Sequence, residues 1–134
     1  MNTSTSTLEL VLSDIVNPPN VPISNALRVG GTVYTVQIPR DPSSFAASGE
    51  GDIEVQATRV FEQLKHVLER VGSSLAQVVQ MTIYLVDKAD AAGMNRVYAR
   101  YFTTLPHPNR ATVVVKELLG ENCRIEVVAQ AVQS

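Results

Sequence analysis

Between Asp52 and Val86 the hydrophobic period of this chain changes from that of a helix to that of a strand, and this change constrains the fold more than any other feature. Val60, Leu64, Val67, Leu68 and Val71 recur at i, i+4, i+7, i+8 and i+11, which is one face of an amphipathic α-helix. Arg59, Glu62, Lys65, Glu69 and Arg70 take the opposite face. Asp52 stands as an N-cap with Glu54 in the first turn, and Gly72 supplies the C-terminal stop. From Val78 the period becomes two, with Val79, Met81, Ile83 and Leu85 on one side and Gln80, Thr82 and Tyr84 on the other. Helix followed at once by a covered strand calls for helices layered on a sheet.

The flanking segments extend that layer. Leu8 to Val16 reads as an edge strand stopped by Asn17-Pro18-Pro19, and Asn20 to Asn25 as a loop. Leu27, Val29 and Thr32 to Ile38 are β-type runs separated by Gly30-Gly31, a tight turn or bulge. Arg40 to Gly51 has the composition of a solvated loop. Asp87 to Phe102 returns to helical spacing, with Met94, Val97, Tyr98, Tyr101 and Phe102 apolar, until Leu105-Pro106-His107-Pro108 breaks it. Ala111 to Lys116 and Cys123 to Val132 are two β runs that read as a closing hairpin. The expected fold is α+β: a mixed sheet with two helices on one face. Strands such as Val113 to Val115 and Ile125 to Val128 carry apolar residues on both sides, so the second face needs a partner and a homo-oligomer is expected.

Composition narrows the function. The 134 residues make a single domain, 1–134, with residues 1–7 as a flexible lead-in; 45% are hydrophobic and 18% charged, which excludes a disordered chain. Eleven basic against 13 acidic residues, a net charge of -2, give no electrostatic footprint for nucleic acid. No basic-then-apolar leader and no apolar run of the roughly 20 residues that span a bilayer can be read, so no membrane partner is expected. One cysteine, Cys123, closes no intramolecular disulfide, and with only His66 and His107 beside it there is no zinc set, so a cytoplasmic protein without metal is expected. No phosphate loop, dinucleotide fingerprint, HExxH or GxSxG occurs, and no cofactor is expected.

Few residues are left to carry chemistry. Cys123 reads as a small buried residue on a strand, His66 as a solvent-side helix residue, and His107 as a loop residue at a pocket rim at most. Arg110 and Glu126 are more informative. If the closing hairpin is centred on Leu118, the two face each other across the strands with Cα atoms on the order of 5 Å apart. Such a pair is either a cross-strand salt bridge or a site in which Arg110 grips a substrate carboxylate while Glu126 positions a water. A one-residue slip breaks the pairing.

Several blocks in order resemble the reactive intermediate deaminase (Rid, YjgF-like) family: Gln37-Ile38-Pro39, Gln56-Ala57-Thr58, Thr82-Ile83-Tyr84-Leu85-Val86-Asp87, Met94-Asn95-Arg96-Val97-Tyr98, Asn109-Arg110-Ala111-Thr112 and Arg124-Ile125-Glu126-Val127. The likeness runs from about Pro18 to Val132. It implies a chorismate mutase-like sandwich and a homotrimer with pockets between subunits. It also implies hydrolysis of reactive enamines and imines, such as 2-aminoacrylate and its imine tautomer, to 2-keto acids and ammonia. In that resemblance Arg110 holds the substrate carboxylate, Glu126 lies by the attacking water, and Asn95 supports the pocket.

The departures from the family pattern fall around the same pocket. Ile23, in Val21-Pro22-Ile23-Ser24-Asn25, replaces the tyrosine of the archetypal branch. Thr35-Val36 stand where Ser-Gly is usual, and Thr112 where some members have cysteine. A divergent branch is therefore expected. Two alternatives stay open: a non-catalytic trimer that binds small carboxylates, and a specialised pathway deaminase of the 2-aminomuconate type. Ribonuclease or translation-inhibitor activity, attributed to some members, is disfavoured by the acidic balance.

Overall fold

The structure, a computed structural model, describes residues 8–10 and 22–133. Helix α1 (Ile53–Glu69) starts where the Asp52 carboxylate accepts the Val55 N–H at 3.0 Å. It stops where Gly72, at φ 76°, lets the Ser73 N–H return to the Leu68 carbonyl at 2.9 Å. Helix α2 (Ala91–Tyr101) follows a single 3-10 turn, Lys88–Asp90, which Asp87 caps by accepting the Ala89 N–H at 2.9 Å.

The strands are β1 (Leu8–Leu10), β2 (Ala26–Val29), β3 (Thr32–Gln37), β4 (Val78–Leu85), β5 (Asn109–Val114) and β6 (Ile125–Val132). Among the described residues they form one six-stranded sheet in the order β1-β2-β3-β6-β4-β5. Only β4 and β5 run parallel. Gly30-Gly31 makes a two-residue turn between the paired Val29 and Thr32, with positive φ at Gly30 alone, as a type II′ turn requires. Of the edge strand expected over Leu8 to Val16, β1 is present at the sheet edge. The remainder, with Asn17-Pro18-Pro19 and the 1–7 lead-in, lies outside the described residues.

Two expectations are overturned. First, β5 and β6 are not a hairpin. Strand β5 lies parallel to β4 at the edge, as the end of a strand-helix-strand crossover through α2, and β6 inserts between β3 and β4. A parallel pair joined by a helix needs this arrangement, and residues 115–124 carry the chain past β4. Second, Val79 does not belong to the inward row. The β4–β6 register shifts between Val78 and Gln80, so Val78 is buried and Val79 is 51% exposed. A bulge moves one residue out of the alternation.

The core lies between one sheet face and the helices. Val33, Met81, Ile83, Leu85, Ile125 and Val127 meet Val60, Phe61, Leu64, Leu68 and Met94, all at most 1% exposed. Helix α1 crosses β3 and β6, and α2 packs beside it. Each such side chain contributes about 1.5–3 kcal/mol on full burial. The opposite sheet face is open and carries apolar residues, as expected: Tyr34, Val36, Val113 and Val132 are 40% to 45% exposed, and on β3 and β6 they alternate with buried residues. Among the described residues no helix covers it.

Candidate functional site

Register decides where the candidate residues stand. Arg110 is opposite Met81 in the parallel β4–β5 pair, so its side chain leaves the sheet on the helix face. There its guanidinium carbon lies 4.4 Å from the centroid of the Tyr98 ring, and Nη1 is 4.0 Å from the Met94 sulfur. Arg110 is half-buried and forms no ion pair with any carboxylate among the described residues. Other arginines do: Arg59 with Glu50, Arg96 and Arg100 with Glu54, Arg124 with Asp90.

Glu126 is opposite Tyr84 and alternates with the inward Ile125 and Val127, so it leaves the sheet on the open face. It is half-buried, and burial pushes its carboxyl above the usual carboxylate range. The expected cross-strand pair therefore does not form: β4 lies between the two strands, and the two side chains point to opposite faces. The salt-bridge reading of Arg110 and Glu126 falls with it.

The other candidates divide the same way. Thr112, two residues beyond Arg110 on β5, is exposed on the helix side. Asn95 is exposed on α2, one turn before Tyr98. Val36, on β3, is opposite Val128 and 45% exposed on the open face, two residues along the register from Glu126. Ile23, 56% exposed, precedes Ser24, which with Leu27, Tyr34, Val36 and Val128 lines a cavity of about 220 Å³ on that face. One protomer thus carries Arg110 and Thr112 on the helix face of the sheet and Glu126 and Val36 on the open face.

Buried polar networks hold the segments that carry the open-face residues. Thr35 Oγ1 donates to the Asn25 carbonyl at 2.8 Å, and Gln37 Nε2 donates to Asn25 Oδ1 and Thr35 Oγ1 at 3.2 and 2.9 Å. Gln63 on α1 donates to Gln37 Oε1 at 3.1 Å and accepts the Arg40 N–H at 3.0 Å. These bonds tie the Ile23 segment to β3 and α1. Gln56, fully buried, holds the chain just before Glu126: its Nε2 is 3.1 Å from the carbonyls of Gly49, Gly51 and Asn122, and its Oε1 accepts the Arg124 N–H at 2.7 Å. Gly49 has to be glycine here, because a Cβ would come within 2.4 Å of the Asn122 backbone.

The remaining residues with reactive side chains are one cysteine and two histidines. Cys123 is buried, as read, though just ahead of β6 rather than on it; burial first and the Glu126 charge second push its thiol up. His66 is half-buried and lines a cavity of about 330 Å³ with Arg40, Phe45 and Gln63, which corrects its reading as a solvent-side residue. His107 is exposed between α2 and β5. Tyr98 is not among the candidates that the sequence singles out, because helical spacing marks it only as an apolar residue of α2. Polar residues on the buried phase of a strand, Thr35 and Gln37 beside Val33, were the available signal for the network.

Residues 15–133 match the family described as Endoribonuclease L-PSP. Over 111 residues, 82% of this chain and 86% of the relative, the sequence is 40% identical to a RutC family protein of Pyrococcus abyssi. The Rid family protein YyfA of Yersinia pestis superposes with a TM-score of 0.85 at 27% identity, covering 94% of this chain and 99% of its own. The chain belongs to this Rid family. Protein DfrA of Myxococcus xanthus is 43% identical to the Rid chain over 112 residues, 81% of this chain and 84% of its own. A putative endoribonuclease of Thermotoga maritima matches at a TM-score of 0.83 and 35% identity, covering 94% and 98%. A general Rid-type role and the YjgF-like sandwich follow from this membership. Among the described residues no helix is long and apolar enough to cross a membrane.

Proposed function

We propose that this Rid chain hydrolyses reactive imines and enamines of amino acids to 2-keto acids and ammonia, as a homotrimer whose pockets lie between subunits. The observation that carries the reading is Arg110: a half-buried guanidinium, set on an aromatic ring and without a carboxylate among the described residues. A planar cation kept free in this way suits a bidentate grip on a substrate carboxylate. Because Arg110 and Glu126 leave opposite faces of one sheet, a single site that uses both draws them from neighbouring protomers. The apolar open face supports the same assembly.

The chemistry asks little of the protein. The imine carbon is already electrophilic, and Glu126 takes a proton from a water as its oxygen bonds to that carbon. The nitrogen receives that proton to give the carbinolamine; Glu126 then takes the hydroxyl proton and passes it to the nitrogen as the C–N bond breaks, which releases ammonia and leaves the keto acid. A carboxylate whose affinity for protons is raised by burial is better matched to this shuttle near neutral pH than an ordinary one. Orientation by Arg110 supplies most of the remaining rate. Thr112 and Asn95 flank the arginine, and Ile23 and Val36 form the wall beside the glutamate. A cytoplasmic location fits one buried thiol and a charge of -2.

The test is ammonia release from imines generated in situ by an amino-acid oxidase, with the parent and Arg110→Ala compared. Turnover by the parent that is lost in the variant supports the reading. Arg110-dependent binding of keto acids without turnover would instead make the protein a carboxylate-binding trimer, and activity confined to 2-aminomuconate would make it a pathway deaminase.

A further inference from the structure

The Arg110 guanidinium has no ion pair among the described residues. One face of the Tyr98 ring stacks on Phe102, with centroids 4.4 Å apart and planes 18° from parallel, and the guanidinium takes the other. Phe61, fully buried, meets the same ring edge-on at 5.9 Å, and Phe102 is 5% exposed. Tyr98 is therefore clamped by the core on one side and presents a fixed π face on the other. Met94, also fully buried, touches Nη1. Such contacts use the charge and flat surface of the guanidinium while leaving N–H donors for a ligand.

We propose that Tyr98 is the positioning residue of the carboxylate clamp: the Phe61–Phe102–Tyr98 cluster holds the Arg110 guanidinium ready before substrate arrives. The proposal rests on the reading of Arg110 as the carboxylate-binding group. An arginine left free would lose the freedom of its long side chain when it grips a carboxylate; one already seated on a ring has lost much of it beforehand. Tyr98 then acts on binding rather than on the proton transfers, which occur at Glu126.

The experiment varies the electron density of the ring while keeping its shape and changing its size little. Tyr98→Phe and replacement of residue 98 by pentafluorophenylalanine are compared with the parent for KM and kcat on oxidase-generated imines, for the Kd of pyruvate as product, and for Tm. The fluorinated ring should raise KM and Kd roughly five- to tenfold, because a cation–π contact of this kind is worth about 1 kcal/mol or more. Phe should stay within about twofold of the parent, kcat should change little, and Tm should fall by no more than about 4 °C, the loss of one contact of that size. Equal KM and Kd for Phe and its fluorinated analogue, with Arg110→Ala inactive, would overturn the proposal and leave the site reading standing. Undiminished pyruvate binding and turnover by Arg110→Ala would overturn both.

Discussion

Gln56→Ala removes the side chain that fastens the approach to Glu126 onto α1. The amide is 0% exposed and has two N–H groups for three carbonyls, those of Gly49, Gly51 and Asn122, each 3.1 Å away, while its oxygen accepts the Arg124 N–H at 2.7 Å. Truncation leaves four backbone groups without that partner. At roughly 1–3 kcal/mol for each buried orphan the ceiling is about 4–12 kcal/mol. The true loss is smaller, because Gly49, Gly51, Asn122 and Arg124 also line a polar cavity of about 450 Å³ that can admit water to some of them. A net cost of about 3 kcal/mol is expected, and at roughly 4 °C per kcal/mol for a chain of this size Tm should fall by about 12 °C. Circular dichroism melts at one fixed protein concentration measure it, since the proposed assembly would link stability to concentration. Gln56→Glu keeps the volume but sets an acceptor against three carbonyls, so its deficit should be larger at pH 8 than at pH 5. A Gln56→Ala melt within about 2 °C of the parent would refute the reasoning.

Glu126→Gln separates stability from chemistry. Its carboxyl is raised by burial, so its contribution to stability is present below the unfolded pKa and lost as pH rises through the folded one. The variant should melt at or above the parent at pH 7 while turnover falls about a hundredfold or more; a lower Tm with turnover intact would contradict both points. Ile23 should favour imines from leucine or methionine over the alanine-derived one, by a graded amount of about 1 kcal/mol per methylene. An unchanged kcat/KM ratio in Ile23→Tyr would remove Ile23 from the pocket. Val113→Asp places a charge on the open sheet face, where Val113 is 40% exposed, and should turn a trimer into monomers in sedimentation equilibrium; a parent that sediments as a monomer would remove the inter-subunit pocket.

The elements themselves were legible, because their signals are local. Asp52, Glu54 and Gly72 bracket α1, Gly30-Gly31 turns β2 into β3, and the change of period marks β4. Strand partnership was not, because a two-residue period says that a strand has two faces but not which strand lies beside it. The default of pairing sequence neighbours placed β5 against β6, whereas the crossover through α2 takes β5 to the far side of β4. That one error of topology put Arg110 and Glu126 on a shared face. Tyr98 was hidden for a related reason: helical spacing marks it as apolar, and no periodicity relates a residue on α2 to the cation on β5 that lies over its ring.

The central claim, a deaminase site that takes Arg110 from one protomer and Glu126 from the next, is tested most directly by mixing two dead subunits. Arg110→Ala and Glu126→Gln protein are unfolded together and refolded at equal concentration, and imine hydrolysis is followed. Random assembly pairs an intact Arg110 with an intact Glu126 at about a quarter of the interfaces if the site is shared, so about a quarter of parental activity should return. Activity no higher than that of either variant refolded alone, from mixtures shown to contain hybrid trimers, would contradict the account.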